Sequence, residues 1–276
     1  MSKNLTVIIT TFKSDSKIVN CLNSINSQIK VIVVENSNSE SFKVNIEKKF
    51  FNVECILPGE NLGYSKANNL GLLKVKTKYA LILNPDTILD PEAINNFLEF
   101  TKNYEDFAIV GPNQNELIDN NLKAIPFEVK KIKGYAMFLN LSKFSNIGFF
   151  DENFFLYLEE IDLCKRVKQI KEKIYVDPSI QVLHLGGASV DSKFSEEVEL
   201  NRNWHWMWSR FYFKKKHSNY FFALISMMPK LFSTALKILI YLFIFKTKKR
   251  KIYLMRLSGL INSIIGKSSW HRITLG

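Results

Sequence analysis

The chain has 276 residues, of which 46% are hydrophobic and 23% are charged, and this composition excludes a wholly disordered protein. Three widely separated cysteines, Cys21, Cys55 and Cys164, form no CxxC pair, which argues against a disulfide framework and a structural zinc site. The formal net charge of +12 fits nucleic acid, anionic lipid or a phosphate-bearing substrate, and the total alone does not choose among them.

The first third of the chain alternates strand and helix patterns. Short β-rich runs predict four strands, at Leu5–Thr10, Val31–Val34, Val53–Leu57 and Tyr79–Leu83. One helix is predicted after the capping residues Ser14 and Asp15, and another over Lys66–Leu73. This order predicts an α/β fold with a Rossmann-like, mostly parallel central sheet flanked by helices, and a ligand site at the carboxyl ends of the strands. No signal-peptide pattern precedes the first strand, so we expect the catalytic part to stay in the cytoplasm.

Polar residues follow the first two predicted strands directly. Thr10 and Phe12 offer a hydroxyl and an aromatic ring that are suited to a nucleoside base, although a plain loop is the simpler interpretation. Glu35 offers a carboxylate that can accept hydrogen bonds from a base imide or a ribose hydroxyl. Asn36 equally favours an Asx-type turn or a helix cap, so this segment fits a nucleotide site and a turn alike.

The segment Asn61–Asn69 joins the third strand to the next helix. Gly63 allows the backbone to approach a ligand closely, and the start of the helix presents amides and the positive end of the helix dipole. Together with Asn61 and Asn68, this arrangement predicts a site for an anionic diphosphate.

Asn84, Pro85 and Asp86 follow the fourth strand. A carboxylate held at the end of a strand suits Mg²⁺ or Mn²⁺, which prefer oxygen ligands and share them with phosphate. Because Asp86 supplies only one protein carboxylate, a second ligand is needed. His184, where an apolar strand gives way to glycines, is the best candidate among four histidines; a structural histidine is the alternative.

An acidic cluster of Glu159, Glu160 and Asp162 follows an aromatic run. Carboxylates placed next to apolar rings tend to have a raised pKa, which a general base working near neutral pH requires. On a helix Glu159 and Asp162 share a face while Glu160 points elsewhere, so the three are expected to have different roles. The alternative is a solvated helix start.

The chain changes character after about Glu196. Residues 204–213 are rich in aromatics, and residues 219–245 are strongly apolar but contain Pro229, Lys230 and Lys237. Their uninterrupted apolar stretches are shorter than the ~20 residues that span a bilayer, so an interfacial helix pair on an anionic membrane is favoured over a transmembrane span. A helical subdomain packed on the core is the alternative. We therefore predict a catalytic domain over residues 1–210 and a membrane-associating helical region over 211–276.

Taken together, five segments resemble the family-2 inverting glycosyltransferases, and more narrowly their bacterial rhamnosyltransferase-like members. The segments lie between about Leu5 and Arg210 in the family's order: VIVVENSNSE, NLGYSKANN, LILNPDTIL, GFFDENFFLYLEEIDLCKR and VLHLGGAS. The resemblance implies a GT-A fold and a nucleoside-diphosphate-sugar donor.

The resemblance also implies roles for single residues. Glu35 takes the place of an aspartate that contacts the base, and Asp86 holds the metal and the diphosphate. Asn84 replaces the first acid of the family's DxD motif, and His184 falls at the family's late histidine. Glu160 falls at the catalytic aspartate, so the carboxylate is carried on a longer arm, and Asp162 is the fallback base.

The implied reaction moves a sugar to a hydroxyl of a lipid-linked saccharide at the inner face of the cytoplasmic membrane, and rhamnose is the sugar that subgroup likeness suggests. Oligomeric state is not predicted. A polyprenyl-phosphate sugar synthase is the near alternative, disfavoured by the LNPD segment and the late histidine. A nucleotidyltransferase lacks its Gly-rich basic signature here.

Two alternatives involve no catalysis. A catalytically inactive, membrane-bound scaffold remains open because of Glu160 and the missing DxD acid. Nucleic-acid binding is not expected, since the basic residues flank apolar segments and suit anionic lipid better.

Overall fold

The computed structural model describes residues 4–113, 125–186, 190 and 195–273 of the chain. Strands within these residues are β1 (Leu5–Thr11), β2 (Lys30–Glu35), β3 (Val53–Ile56), β4 (Tyr79–Leu83), β5 (Thr87–Leu89), β6 (Ile109–Pro112), β7 (Phe127–Glu128), β8 (Ala136–Asn140), β9 (Ile174–Asp177) and β10 (Val182–His184). Helices are α1 (Asp15–Asn23), α2 (Glu40–Lys49), α3 (Gly63–Leu72), α4 (Ala93–Asn103), α5 (Glu159–Gln169), α6 (Ser195–His217), α7 (Tyr220–Phe243) and α8 (Thr247–Ile264), with a 3₁₀ turn at Leu141–Phe144.

The main sheet has the strand order β3-β2-β1-β4-β8-β6-β9-β7. Its first half, from β3 to β4, is entirely parallel, as the βαβ pattern predicts. In the other half β6 is parallel to β9, whereas β8 is antiparallel to both β4 and β6, and β7 is antiparallel to β9. The sheet is therefore mostly parallel, and the prediction of an α/β fold is confirmed.

Helices cover both faces of the sheet, which explains why its central strands are continuous apolar runs. On one face α3 lies close to β1, since a Cβ added at Gly71 would come within 2.7 Å of the Ile8 side chain. On the other face Phe97 of α4 stacks on Phe138 of β8, with ring centroids 5.1 Å apart. Close packing on both sides holds the strand ends in fixed positions.

Some local predictions differ from the structure. Helix α3 begins at Gly63, three residues before the predicted start at Lys66, because Gly63 adopts φ +75° and turns the chain directly into the helix. Ser14 occupies the N-cap position of α1 but makes no capping hydrogen bond. Its hydroxyl donates instead to the Phe12 carbonyl at 3.1 Å, and so braces the loop after β1.

The three cysteines are free and buried, in agreement with the prediction of no disulfide framework. Burial raises the pKa of each thiol to about 12. They are therefore protonated and unreactive at neutral pH.

The chain divides into two compact units. The first comprises Met1–Asp151 and Glu160–Asp191, and the second comprises Glu152–Glu159 and Ser192–Gly276. These units are defined by compactness. The predicted boundary between residues 210 and 211 separates a catalytic region from a membrane-associating region, and it stays a prediction.

The second unit is built on α6, α7 and α8. Helices α6 and α8 approach so closely that a Cβ at Gly259 would lie 2.2 Å from the Trp204 carbonyl oxygen. Helix α7 is continuous through Pro229, so residues 220–243 form one helix where the sequence predicted an interfacial pair. Among the described helices α7 alone is long and apolar enough to cross a membrane.

Candidate active site

The polar residues singled out from the sequence follow three neighbouring strands. In the parallel register Thr10 of β1 lies beside Val34 of β2, and Ile9 lies beside Leu83 of β4. The carboxyl ends of β2, β1 and β4 therefore meet at one edge of the sheet. An open α/β sheet binds ligands along this edge. The edge carries three pairs of predicted site residues: Thr10 and Phe12, Glu35 and Asn36, and Asn84 and Asp86.

Glu35 is buried at the end of β2, and its carboxylate holds the turn that follows. One oxygen accepts from the Ser37 amide and the other from the Ser39 amide, each at 2.9 Å. A carboxylate oxygen can accept a second hydrogen bond, so these contacts leave acceptor capacity for a ligand. The turn and the nucleotide interpretations are thus compatible at this residue.

Asn36 ties the end of β2 to the start of α3. Its Oδ1 accepts from the Leu62 amide and its Nδ2 donates to the Gly63 carbonyl, both at 3.2 Å. Asn61 Oδ1 accepts from the Gly63 amide at 3.0 Å. The N-cap residue of α3 is Leu62, whose apolar side chain makes no capping hydrogen bond, so later amides of the first turn are left for a ligand or water.

Helix α3 also buries polar atoms behind this turn. Asn68 donates through Nδ2 to the Tyr64 carbonyl at 2.9 Å. Within the part of the chain that the structure describes, Asn68 Oδ1 and Ser65 Oγ have no hydrogen-bond partner, and neither do the hydroxyls of Thr10 and Thr11. Buried polar atoms without partners are uncommon in folded proteins and call for a ligand or ordered water.

Asp86 is the most exceptional of these groups. It is 2% exposed, and among the described residues neither of its carboxylate oxygens accepts a hydrogen bond. The turn that carries it is fixed by Thr87, whose amide and hydroxyl donate to the Asn84 carbonyl at 3.2 and 2.7 Å. A buried carboxylate is costly unless it is paired or coordinates a cation, so Asp86 fits a metal ligand.

A two-stranded antiparallel sheet brings His184 to Asp86. Strand β10 pairs with β5 so that His184 lies opposite Thr87, and the Leu185 amide donates to the Asp86 carbonyl at 3.1 Å. His184 Nε2 lies 3.5 Å from Asp86 Oδ1. The Tyr135 ring stacks on the imidazole with a centroid separation of 4.6 Å and so fixes its plane.

Asp86 and His184 form a two-residue donor set. In residues 4–113, 125–186, 190 and 195–273 no group of three or more His, Cys, Asp or Glu side chains is placed to hold a metal ion. Mg²⁺ and Mn²⁺ complete their coordination with phosphate and water oxygens. The chemistry of this pair therefore fits a cation that shares its ligands with a phosphate-bearing substrate.

Glu160 borders the same site through the segment Gly134–Tyr135. A Cβ added at Gly134 would lie 3.3 Å from Glu160 Cβ, so the Glu160 side chain packs directly against this glycine. The next residue, Tyr135, accepts the Asn84 amide at its carbonyl at 2.9 Å and stacks on His184. Two consecutive residues, Gly134 and Tyr135, thus connect Glu160 to the Asp86 turn.

Asp162 forms an ion pair with Arg166. It is fully buried and lies 2.7 Å from Arg166 Nε, while the Arg166 guanidinium donates to the carbonyls of Ile147 and Phe149. This ion pair fastens α5 to the preceding loop, which favours Asp162 as a scaffold residue over a proton acceptor.

Glu159 belongs to the second unit and is buried. It follows Tyr157 and Leu158, two consecutive non-glycine residues with φ of 73° and 69°. Such left-handed backbone costs energy and clusters at functional sites.

Sequence reasoning missed Gly134, Tyr135 and Arg166. Gly134 and Tyr135 directly precede the buried strand β8, and a glycine–aromatic pair at a strand start is too common to indicate a site. Arg166 lies four residues after Asp162, and this helical spacing could have revealed the ion pair.

Comparison with known proteins identifies a family and several relatives of this chain. The sequence profile of the family described as Glycosyl transferase family 2 matches residues 6–164, more than half of the chain. The low-salt glycan biosynthesis hexosyltransferase Agl10 of Haloferax volcanii is 27% identical over 61% of this chain and 63% of its own length. Rhamnosyltransferase WbbL of Escherichia coli is 23% identical over 68% and 83%.

A third relative is the N-acetylglucosaminyl-diphospho-decaprenol L-rhamnosyltransferase of Mycobacterium tuberculosis, 22% identical over 56% of this chain and 66% of its own. The chain thus spans just under two thirds of the length of the Haloferax and mycobacterial relatives.

Solved structures share the fold. Mannosyltransferase PcManGT from Pyrobaculum calidifontis, solved with GDP-Man and Mn²⁺, has a TM-score of 0.60 at 12% identity and covers 95% of this chain and 87% of its own. S. aureus TarS has a TM-score of 0.53 at 13% identity and covers 95% and 92%. Identities this low show the fold alone.

Proposed function

Because the chain belongs to glycosyl transferase family 2 and has the GT-A fold, we propose that it is a nucleotide-sugar-dependent glycosyltransferase. The reaction is an inverting transfer of a sugar from a nucleoside-diphosphate sugar to a hydroxyl of a lipid-linked saccharide. The observation that carries this proposal is the buried Asp86 carboxylate without hydrogen-bond partners among the described residues. Glu160 packs on Gly134, and the next residue, Tyr135, accepts the amide of Asn84 in the Asp86 turn.

The donor is held along the edge of the sheet. The base and ribose lie against Phe12 and Glu35, and the diphosphate lies at the first turn of α3, where backbone amides attract negative charge. Asn36 and Asn61 position that turn through their contacts with Gly63. The hydroxyls of Thr10 and Ser65, which have no partner among the described residues, support a polar ligand along this edge.

Asp86 and His184 are the residues that would hold a divalent cation, with Asn84 at the neighbouring position. A bound Mg²⁺ or Mn²⁺ would supply positive charge to the departing diphosphate. Support comes from the acid–imidazole donor set and from the fold relative solved with Mn²⁺.

In the transfer step Glu160 takes the proton of the acceptor hydroxyl. The oxygen forms a bond to the anomeric carbon from the face opposite the nucleotide, and the bond to the diphosphate oxygen breaks with its electron pair. Gly134 allows Glu160 to approach because any larger residue would displace its side chain. One displacement inverts the configuration at the anomeric carbon.

Two substitutions test these roles. Glu160→Gln keeps the shape but removes the base, so we expect transfer to fall about 10²–10⁴-fold while calorimetry shows retained donor binding. Asp86→Asn should weaken metal-dependent donor binding as well as transfer. Glu99→Gln, at an exposed acid of α4, is the matched control and should match wild type. Transfer by Glu160→Gln at the wild-type rate would contradict the assignment.

The acceptor and the sugar are the finer part of the proposal. The names of the E. coli and mycobacterial relatives support rhamnose, and the mycobacterial name supports a polyprenyl-diphosphate-linked saccharide. A product assay that offers a polyprenyl-diphosphate saccharide and a polyprenyl monophosphate side by side separates this reaction from polyprenyl-phosphate sugar synthesis. Metal-dependent hydrolysis of the donor without acceptor would exclude an inactive scaffold.

The place of action is the inner face of the cytoplasmic membrane. The apolar helix α7 lies between two basic segments, Lys214–Lys216 and residues 246–251. Basic residues next to an apolar helix attract anionic lipid headgroups, and this charge pattern supports a membrane surface over nucleic acid.

A further inference from the structure

Helix α7 has two different faces. Its inner stripe is buried or partly buried and repeats at helical spacing: Ala223, Met227, Leu231, Thr234, Ile238 and Tyr241. Its outer face is apolar and exposed: Phe222, Ile225, Phe232, Leu236, Leu239 and Phe243. The helix contains no Asp or Glu. An exposed apolar face of this length marks an interaction surface.

The inner stripe of α7 packs on a pair of parallel helices, α6 and α8. Their parallel course follows from three contacts in the same order along both: Glu196 with Lys251, Trp204 with Ser258, and Trp208 with Ser263. Helix α7 runs antiparallel to α8, since Lys237 Nζ lies 3.2 Å from the Tyr253 hydroxyl while Met227 clusters with Leu260. It therefore lies lengthwise along the pair.

The supporting pair is too polar to enter hydrocarbon. At one end Lys248 lies 3.3 Å from Glu199 and Lys251 lies 3.4 Å from Glu196. Further along, Arg256 donates to Asn203 at 2.6 Å. A charged side chain at the bilayer centre costs about 2.5–3.5 kcal/mol, so a crossing by α7 would take several such groups into the membrane.

The lysines of α7 lead to the same conclusion. The helix is roughly 36 Å long, enough to cross a bilayer, but Lys230 lies near its midpoint and would reach the hydrocarbon centre. Lys230 and Lys237 are two helical turns apart, on the border between the outer face and the inner stripe. In a helix lying parallel to the surface, their aliphatic stems can lie among the lipids while the ammonium groups reach the headgroups.

We infer that α7 does not cross the membrane but lies in its plane, with its outer face embedded in an anionic leaflet and both ends on the cytoplasmic side. Basic segments at both ends of the helix complement anionic headgroups, whereas a spanning helix carries its positive charge mainly at one end. This inference rests on the proposed membrane location and specifies its topology.

Topology is tested with single cysteines at the exposed positions Ser218 and Thr247, just beyond either end of α7. The native cysteines are buried, so a membrane-impermeant maleimide should react only with the introduced residue. The full-length chain is expressed in cells, and Asn103→Cys in α4 reports the side of the first unit. We expect Ser218→Cys and Thr247→Cys to react in inside-out vesicles and to be protected in right-side-out vesicles, as Asn103→Cys is. Reaction of the two ends from opposite sides would overturn the inference.

Lipid contact is tested by flotation with vesicles of phosphatidylglycerol or phosphatidylcholine. Wild type should float with phosphatidylglycerol, and Phe232→Glu on the outer face should lower the bound fraction at least ten-fold. Phe51→Glu, at an exposed phenylalanine of the first unit, should float like wild type. Unchanged flotation of Phe232→Glu would overturn the inference. A second result would also overturn it: light scattering that shows a dimer without lipid, which Phe232→Glu dissociates. Donor hydrolysis by Phe232→Glu should stay at the wild-type level. If the inferred topology is wrong, this assay therefore still tests the proposed reaction independently.

Discussion

Tyr64 is the residue through which α3 holds the segment that separates Glu160 from His184. Its hydroxyl donates to the Gly134 carbonyl at 2.6 Å, and its ring makes an edge contact with Phe150 at 5.9 Å. The hydrogen bond fixes the backbone against which Glu160 packs. Tyr64 thus acts on the proposed base through Gly134 and is a positioning residue.

Tyr64→Phe keeps the ring and removes the hydroxyl that donates this hydrogen bond. Loss of one hydrogen bond costs about 0.5–1.5 kcal/mol, so we expect kcat to fall about 2- to 10-fold while the KM for the donor stays within two-fold. Steady-state kinetics and a thermal melt check this. A purely structural role would lower the melting temperature and leave kcat of the folded enzyme unchanged.

The sequence predicted some residues of the candidate site but not others. Asp86 and His184 could be paired from the sequence because one ends a strand and the other precedes glycines, and the structure places them 3.5 Å apart. Tyr135 could not be found, because its stacking on His184 depends on strand β10, which lies almost 50 residues further along the chain. The local contacts of Glu35 with Ser37 and Ser39 are turn chemistry, which sequence reasoning kept open.

Among the elements of the second unit, α6 and α8 approach each other closely at Gly259. The glycine lets the Trp204 backbone approach, and the indole Nε1 of Trp204 donates to Ser258 at 3.1 Å. A side chain at position 259 would force the two helices apart along their length.

Gly259→Ala should therefore destabilise the second unit by about 1–3 kcal/mol, in spite of the better helix propensity of alanine. Urea unfolding followed by tryptophan fluorescence measures this, since all four tryptophans (Trp204, Trp206, Trp208 and Trp270) belong to that unit. Leu254→Ala, at an exposed position of α8, is the control and should change stability by less than about 0.5 kcal/mol. A stabilised Gly259→Ala variant would contradict the close contact.

Elements with a strong local pattern were predicted well. The runs VIVV and YALIL are buried throughout and form β2 and β4. The antiparallel insertion of β8 was not predicted, because an apolar run gives no information on strand direction. Pro229 suggested a break in α7, but the helix continues through it and Pro229 lies on its exposed side.

The buried His205 of the second unit contributes a dependence of stability on acid pH. Its Nε2 donates to the His271 carbonyl and its Nδ1 accepts from the Ser269 hydroxyl, both at 2.9 Å. Burial lowers the pKa of His205 from 6.5 to about 3, and it also lowers the pKa of His271. The native ring is therefore neutral throughout the range in which an unfolded histidine takes up a proton.

The contribution of His205 to the free energy of unfolding should therefore be fully present above pH 6.5. It should decrease as the pH falls from 6.5 towards 3, because over this range only the unfolded state binds the extra proton. The slope from His205 is about 1.4 kcal/mol per pH unit once the pH is well below 6.5. Urea unfolding at about pH 7.5, 6.5 and 5.5, on either side of the ordinary histidine pKa, measures it. His205→Gln does not titrate and should show a flatter dependence, and an equally steep profile for this variant would contradict the assignment.

For the whole molecule, the family and the α/β class could be predicted from five short segments, because each follows a strand or opens a helix in the family's order. The lengthwise packing of α7 along α6 and α8 could not be predicted, because it depends on contacts between residues far apart in the chain. The pairing of Lys251 with Glu196 across 55 residues is one such contact, and no local pattern encodes it.

The strand order also has a consequence for the chain as it leaves the ribosome. The parallel half of the sheet, β3-β2-β1-β4, is complete once residue 83 has emerged, whereas β8 pairs with β4 only after residue 140. At roughly 5–20 residues per second, the wholly apolar edge of β4 stays open for about 3–11 s during synthesis. An unpaired edge of this kind invites pairing with another nascent chain, so slow translation between β4 and β8 would lower the yield of this protein through aggregation rather than through any defect of the finished fold.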